Sequence, residues 1–498
     1  MKPSNYNFVF PFKAFRILSL LFVLYILLVL GACSNGEEIV TNTSEPNISW
    51  LDPYEFDFTR PVILSQLEFT PYIPSDEALS GFAADASFLV QTVEQVHPIF
   101  IIEGMLPEEY EDMRDTFLAY SKNYDITKEN FVFAAKRYLT TLRDGHASAG
   151  AGLFAYRDDE GWLQRMELSY LLDIEFEARN NSLFLRDEEG NPTYIEVYYI
   201  GGIPINRVFD IISRYNFSEN EVDLNRNRAI FSRYGALLER AGAENIDDNF
   251  IITINDENEI FDIKIPLNAS LRYLLRNSAV AAGFIARYEL FDDVLLIDLR
   301  MMELGDEVNK VISATRNAMN DGIRKFIVDV RSNRGGTSVV RHNLFAPLRL
   351  TPLAGNSYIV RLSYPLTERY GEYHRPFPTH NTAHSVHTQA FENIRNAEDI
   401  FISVLTDNET YSAGTQFAMQ VQDRGIVGNV IGAPSRQSPH FFAGSLFFTM
   451  PYSEIIFAVS SAYFRRFDAN ADQLVVWPDI ITDPRDALYV ALEYLAGR

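Results

Sequence analysis

The sequence predicts an α/β protein in which a layered core follows a helical region and a small β-rich region. Helical apolar spacing dominates the chain from about residue 76 to residue 142, and short strands dominate from residue 166 to residue 267. Beyond residue 285, strands alternate with helices, which is typical of an α/β layered core. A chain of 498 residues has room for about two to four domains.

The composition is that of a globular protein with an acidic surface. Hydrophobic residues make up 47% of the chain and aromatic residues 13%, which is enough to form packed cores. The formal net charge of -24 repels phosphate backbones, so nucleic acid is not expected as a partner. The chain has one cysteine, which excludes a disulfide framework and cysteine-rich metal sites.

The N-terminus has the layout of a secretory signal peptide. A basic start is followed by the apolar run 17–30, which is shorter than the stretch that a membrane-spanning helix normally needs. Leu30-Gly31-Ala32-Cys33 ends the run and resembles a bacterial lipobox, in which the cysteine is lipidated. We therefore expect residues 1–32 to be a lipoprotein signal peptide and residues 33–75 a polar tether. The expected location is the bacterial cell envelope, outside the cytoplasm, although an ordinary signal peptide with an incidental Cys33 remains the alternative.

Residues 76–165 are predicted to form an N-terminal helical domain. One helix with apolar residues on a single face ends at His97-Pro98, and a second follows Pro107. His97 is interpreted as a helix-end residue. The third helix begins after Thr127, which is placed to cap it, and Gly145 ends it and presents His146 on a loop of small residues.

Residues 166–275 form the predicted β module, and residues 276–498 form the predicted core. The module has a helical stretch around residues 208–212 and strands at residues 182–185, 194–200, 250–254 and 260–265. The core has an amphipathic helix between residues 308 and 319 and strands at residues 294–299 and 326–330.

The stretch 401–423 is the strongest candidate for chemistry. An apolar strand at residues 401–405 leads through a polar turn into a helix that begins near Ser412. A strand, a sharp turn and a helix together expose a nucleophilic serine above a sheet, and Ala413 leaves the backbone open to a substrate. A serine that only caps its helix gives the same pattern, so both interpretations stand for this stretch taken alone.

Two further segments supply the partners that a nucleophilic serine needs. Gly335 and Gly336 follow the strand at residues 326–330, so their amides can face an oxyanion, although a Gly-rich turn without a ligand fits as well. The last lysine of the chain is Lys325, so the segment after Ser412 cannot supply a lysine base. Histidine is the remaining natural base, and His146 is the best placed of the eight, although such a residue alone is more often a surface or capping residue.

No metal or cofactor is expected. His380, His384 and His387 have the spacing of metal ligands on a helix, but their segment lacks a helical apolar pattern. The sequence Asp468-x-Asn470-x-Asp472 resembles the start of a calcium loop, but Gln473 replaces the glycine that such a loop requires.

Several short motifs in a fixed order resemble the tail-specific (C-terminal processing) and tricorn-core serine peptidases, whose relatives include interphotoreceptor retinoid-binding proteins. The resemblance covers most of the chain after residue 75. Its motifs are Asp144-Gly145-His146, residues 329–336 (D-V-R-S-N-R-G-G), Thr410-Tyr411-Ser412-Ala413-Gly414, Gly432-Ala433-Pro434-Ser435, Pro451-Tyr452-Ser453 and Pro478-Asp479-Ile480.

The resemblance implies a crotonase- or ClpP-like core, an N-terminal helical domain and a PDZ-like module that includes residues 198–212. It implies Ser412 as nucleophile, His146 as base in the tricorn-like branch, and backbone donors at Gly336 and Ala413 beside Gly335. The family's supporting glutamate falls on Asp472, a shorter acid, and Ala433 replaces the usual acidic residue of its motif.

The predicted function is therefore that of a secreted, lipid-anchored serine peptidase that cleaves polypeptides without a cofactor. The alternative is a catalytically inactive lipoprotein of the same fold that binds peptides or lipids. The sequence leaves the oligomeric state, the cleavage specificity and the choice between an outer-membrane and a cell-surface anchor open.

Overall fold

The computed structural model describes residues 70–75, 78–147, 155–157, 163–165, 171–188, 190–257, 259–267, 283–350, 356–361, 363, 383–387, 399–423, 428–466 and 474–497. All of them belong to one compact unit, Tyr54–Arg498. The predicted signal peptide, Cys33, most of the tether and Asp472 lie outside the described residues. Within these residues, no helix combines the length and the apolar character that crossing a membrane requires.

The three predicted N-terminal helices are present, and two short strands follow them. Thr127 caps the third helix as predicted, because its hydroxyl accepts a hydrogen bond from the Asn130 amide at 3.2 Å. The first helix ends at Val96 because His97 has an extended backbone and precedes Pro98. The elements are α1 (Gly81–Val96), α2 (Tyr110–Ser121), α3 (Lys128–Thr140), β1 (Ala155–Arg157) and β2 (Leu163–Arg165).

Residues 171–267, called the middle segment below, contain an antiparallel sheet covered by helices. The sheet order is β3-β4-β5-β7-β8, with β6 paired to β5. The four predicted strands and the helix around residues 208–212 are found, and two more helices follow that helix. The elements are β3 (Phe176–Arg179), β4 (Ser182–Arg186), β5 (Pro192–Ile200), β6 (Ile203–Pro204), α4 (Ile205–Tyr215), α5 (Glu221–Phe231), α6 (Gly235–Ala241), β7 (Asn249–Asp256) and β8 (Glu259–Pro266).

The rest of the chain forms a mainly parallel sheet with helices and a second, antiparallel sheet. The parallel sheet has the order β18-β15-β14-β11-β10-β9, in which only β9 is antiparallel to its neighbour. The elements are β9 (Ala286–Phe291), β10 (Val294–Leu299), α7 (Asp306–Asn320), β11 (Lys325–Asp329), α8 (Ser338–Phe345), β12 (Asn356–Arg361), β13 (Ala383–His387), β14 (Phe401–Thr406), α9 (Ala413–Gln422), β15 (Gly428–Gly432), β16 (His440–Thr449), β17 (Ile455–Arg466), β18 (Ile480–Ile481) and α10 (Ala487–Ala496). The predicted mixed α/β fold is confirmed.

Helices cover both faces of the parallel sheet. Ile402 and Val404 of β14 pack in one core with α7, α8 and α9, whereas Leu405 of the same strand packs with α10 on the other face. Because β11 and β14 are parallel neighbours, the loops that follow them leave the same edge of the sheet. Ligands of open α/β sheets bind at this carboxyl edge, and both candidate loops therefore meet there.

The N-terminal helices share their core with the second sheet. Buried side chains of α1, α2 and α3 pack against Phe442, Leu446 and Phe457 of the β16–β17 hairpin. Strands β1 and β2 join the same sheet, because β1 pairs with β17. The loop that carries His146 follows α3 and therefore starts from an element held against this sheet.

Candidate active site

Ser412 lies at the turn between β14 and α9 with a strained backbone. Its φ and ψ angles are 52° and -122°, in a region that residues other than glycine rarely adopt. Ser412 occupies the N-cap position of α9, but its side chain makes no capping hydrogen bond. The capping interpretation therefore does not account for the hydroxyl, and the turn exposes it at the head of a helix.

The glycine loop after β11 lies directly against this turn. A Cβ atom on Gly335 would lie 2.5 Å from the Ser412 Cβ and 3.0 Å from the Ala413 nitrogen. A Cβ atom on Gly414 would lie 3.0 Å from the Asn333 carbonyl oxygen. The two backbones thus approach so closely that side chains at either glycine would separate them.

Asp407 joins the two loops through its buried carboxylate. Its Oδ1 atom accepts hydrogen bonds from the amides of Ser332, Glu409 and Thr410 at 2.9, 3.0 and 2.9 Å. The Thr410 hydroxyl, in turn, donates to the Val330 carbonyl at 2.9 Å. The end of β11 and the nucleophile turn are therefore held in one fixed arrangement.

The three predicted oxyanion donors differ in how they are used. The Gly335 amide donates to Asn333 Oδ1 at 2.8 Å, so it shapes the loop and is not free for a ligand, contrary to its predicted role. Within the described residues, the amides of Gly336 and Ala413 donate to no other group. These two N–H groups are therefore the ones available to an oxyanion.

His146 and Ser412 are brought together from remote segments. Nε2 of His146 lies 3.2 Å from the Ser412 hydroxyl oxygen, within hydrogen-bond distance. The His146 loop is fixed by Asp144, whose Oδ1 atom accepts from the His146 amide at 2.8 Å. The other Asp144 oxygen lies 3.1 Å from Nε2 of the buried His97. Since the Ile99 amide donates to His97 Nδ1, the proton of His97 is on Nε2 and points at Asp144.

The ionisation of these groups suits a base that is neutral before reaction. Burial lowers the pKa of His146 below its ordinary value of 6.5, and Asp144 opposes this shift. The imidazole is therefore neutral at neutral pH, and it can accept a proton through whichever ring nitrogen is unprotonated. Burial alone would raise the pKa of Asp144, but the hydrogen bond from His97 lowers it, so Asp144 is a carboxylate. His97 thus positions the loop, beyond the helix-end role that the sequence indicated.

Sequence reasoning missed Tyr411 and Glu219. The Tyr411 hydroxyl donates to Glu219 Oε1 at 2.6 Å and lies 3.3 Å from His146 Nδ1. The rings of Tyr411 and His146 are stacked, with centroids 4.9 Å apart. Tyr411 lies inside a motif that the sequence had singled out, but Glu219 lies in the polar loop between α4 and α5, which carries no motif.

Ion pairs connect helix α5 to the nucleophile turn. Arg226 of α5 pairs with Glu409 at 2.7 Å, and Glu409 also pairs with Arg334 of the glycine loop at 2.9 Å. Burial alone would raise the pKa of Glu409, but the two guanidinium groups hold it far below its usual value. Arg436 lies over the Tyr411 ring at 4.0 Å and pairs with Asp223 of α5 at 3.1 Å. The middle segment therefore contributes to the architecture of the site.

The described residues contain no group of three or more His, Cys, Asp or Glu side chains that is arranged to hold a metal ion. His380 lies outside these residues, and only the backbone of His384 and His387 is described, in β13.

Comparisons with known proteins agree with this architecture. Residues 293–480 match the model of peptidase family S41. No curated protein matches the sequence. The crystal structure of mature CPAF is similar with a TM-score of 0.50 at 11% identity, over 83% of this chain and 95% of that chain.

Two other solved structures are similar with lower scores. Mature CPAF complexed with lactacystin gives a TM-score of 0.47 at 11% identity, over 84% of this chain and 97% of that chain. The photosystem II D1 C-terminal processing protease gives a TM-score of 0.41 at 10% identity, over 82% of this chain and 94% of that chain. The family match confirms the predicted relation to the tail-specific and C-terminal processing peptidases over residues 293–480.

Proposed function

We propose that this protein is a serine peptidase that hydrolyses peptide bonds with Ser412 as nucleophile and His146 as base. The observation that carries the proposal is the 3.2 Å contact between His146 Nε2 and the Ser412 hydroxyl, at a strained turn inside the family match. The pairing has the geometry that an activated serine requires, namely a base within hydrogen-bond reach and a further group that orients the base.

In the proposed reaction, His146 accepts the Ser412 proton while the serine oxygen attacks the peptide carbonyl carbon. The tetrahedral intermediate places its negative oxygen near the free amides of Gly336 and Ala413, each worth about 3 kcal/mol of transition-state stabilisation. His146 then gives the proton to the leaving amine, and water hydrolyses the acyl-enzyme by the reverse sequence of proton transfers. Asp472 stays a proposed supporting acid from outside the described residues.

The location and the accessory parts belong to the same proposal. The order of charged, apolar and small residues before Cys33 supports a lipid anchor that holds the enzyme at the bacterial cell envelope. The antiparallel sheet and helices of the middle segment support a PDZ-like module, and the N-terminal helices support a helical domain. Such a module captures a peptide end by adding it to the sheet as a strand.

Covalent labelling with a fluorophosphonate tests the proposal. We expect the wild type to be labelled at one site, Ser412→Ala to remain unlabelled, and His146→Ala to react on the order of a hundredfold more slowly. Ser313→Ala, which changes an exposed serine on α7, is the matched control and should label like the wild type. A wild type that does not react across the pH range would overturn the proposal in favour of the inactive binding protein.

A further inference from the structure

The hydroxyl of Tyr411 lies between a buried carboxyl group and the far nitrogen of the candidate base. It is 2.6 Å from Glu219 Oε1 and 3.3 Å from His146 Nδ1. The Glu219 side chain is 5% exposed, and its Oε2 atom accepts a hydrogen bond from the Ser438 amide at 3.1 Å. A continuous path of hydrogen-bond contacts therefore runs from Glu219 through Tyr411 and His146 to the Ser412 hydroxyl.

The direction of these hydrogen bonds decides whether His146 is a base, because the phenol has a single proton. When Glu219 is ionised, Tyr411 donates to it and accepts from an Nδ1–H group of His146. Nε2 is then unprotonated and faces Ser412. When Glu219 is neutral and donates to Tyr411, the phenol proton turns to Nδ1. The neutral imidazole then carries its proton on Nε2 and cannot take one from Ser412.

We propose that Glu219, acting through the Tyr411 hydroxyl, is a positioning residue that sets the tautomer of His146. This inference rests on the proposed peptidase function and deepens it, since it assigns the orienting group to the middle segment. Glu219 touches neither the serine nor the position of a substrate carbonyl, so its effect on the reaction passes through Tyr411. The loop between α4 and α5 thereby completes the site.

The loop of His146 packs closely against the Tyr411 hydroxyl and the Glu219 carboxyl group. A Cβ atom on Gly145 would lie 2.5 Å from the Tyr411 hydroxyl and 2.6 Å from Glu219 Oε1. Cβ atoms essentially never come so close to other heavy atoms, so a side chain at residue 145 would displace the Tyr411 hydroxyl and the Glu219 carboxyl group. The residue before His146 therefore packs against both groups.

Charged groups on several elements act on this pair. Asp144, on the His146 loop, is 4.0 Å from Nδ1 and also favours a proton on that nitrogen. Burial raises the pKa of Glu219 to about 8; the Tyr411 hydrogen bond opposes the shift and the charges of Asp223 and Asp144 add to it. Arg436 faces the pair from above the Tyr411 ring. The change of tautomer is therefore expected in the mildly alkaline range.

The rate of fluorophosphonate labelling against pH tests the inference in Glu219→Gln and Tyr411→Phe. In Glu219→Gln, the Ser438 amide needs the side-chain oxygen, so the NH₂ group faces Tyr411 and imitates the neutral acid. Above pH 8, where Glu219 of the wild type is ionised, we expect both variants to react about 10- to 100-fold more slowly than the wild type, the effect of losing one or two orienting hydrogen bonds. The wild-type rate should rise as pH passes about 8, and the rate of Glu219→Gln should not show this rise.

Glu221→Gln is the matched control, because it changes an exposed glutamate two residues further on, at the first position of α5. It should keep the wild-type rate and pH profile, and unfolding midpoints should show that all variants are folded. A labelled wild type together with an unchanged rate or an unmoved pH profile in Glu219→Gln overturns this inference alone. A wild type that is unlabelled at every pH overturns the proposed function itself.

Discussion

Replacing Gly145 by alanine tests how tightly the site is built around the candidate base. Gly145 does not have a positive φ, so alanine fits its backbone and the added methyl group is the only change. That methyl carbon would lie 2.5 Å from the Tyr411 hydroxyl, whereas ordinary contact begins at 3.4 Å, so the groups must separate by about 0.9 Å. The substitution therefore moves the His146 loop, or it moves the Tyr411 hydroxyl together with the Glu219 carboxyl group.

A displacement of this size is large compared with the tolerance of a catalytic hydrogen bond. The contacts at 3.2 Å to Ser412 and 3.3 Å to Tyr411 are already at the long end of the range, so separation breaks at least one of them. Misplacement by about 1 Å costs on the order of a hundredfold in rate. We expect Gly145→Ala to be labelled by a fluorophosphonate about a hundredfold more slowly, with a stability loss of only about 1–3 kcal/mol.

The assay compares second-order labelling rate constants, with urea unfolding as the measure of stability. Gly305→Ala is the matched control, since Gly305 also lacks a positive φ in the left-handed region and a Cβ atom there would meet nothing within 4 Å. It should react like the wild type. If Gly145→Ala also reacted at the wild-type rate, the close packing of Tyr411 and Glu219 on the His146 loop would not matter for the reaction, and the reasoning would be refuted.

Two further predictions concern stability. Asp407→Ala should destabilise the fold by about 3–5 kcal/mol in urea unfolding, because it leaves three backbone amides, two of them in buried hydrogen bonds, without their acceptor. Asp407→Asn keeps an oxygen there and should lose much less stability, so equal losses in the two variants would contradict this reasoning. The second follows from Glu219, whose pKa rises from 4.5 to about 8 on folding, so that the folded state holds more protons between these values. The free energy of unfolding should therefore fall as pH rises through this window, by at most about 5 kcal/mol, and Glu219→Gln should remove that fall. Parallel curves of stability against pH for the wild type and Glu219→Gln would contradict this prediction.

The sequence was sufficient where a local pattern determines structure. Strand β10 and helices α3 and α9 carry clear apolar spacing, and their observed bounds differ little from the predicted ones. Helix α5 escaped prediction because it buries polar residues, among them Asp223 and Asn227, and so lacks an apolar face. Strand β17 is buried along most of its length on both faces, so it shows no alternation of apolar and polar residues.

The same difference separates the residues of the candidate site that a local pattern reveals from those that only the folded chain brings together. Ser412, His146 and Gly336 could be proposed from sequence because each follows a rigid element at a turn with glycine or another small residue nearby. Glu219 could not, because its loop is polar and its importance comes from burial against Tyr411 and Ser438, which only the folded chain brings near. A carboxyl group acquires an unusual pKa from such tertiary surroundings and not from its neighbours in sequence.

The geometry also restricts what a second supporting acid can do. The imidazole of His146 can donate only one proton through Nδ1, and the oxygen of Tyr411 is the atom within hydrogen-bond distance of it in the described part of the chain. Glu219 and Asp144 lie at 3.9 and 4.0 Å, so they act on the ring through Tyr411 and through their charge. An acid at Asp472 can therefore accept from Nδ1 only by displacing the Tyr411 oxygen. Displacement would make Tyr411→Phe harmless, so the labelling rate of that variant decides which acid orients the base.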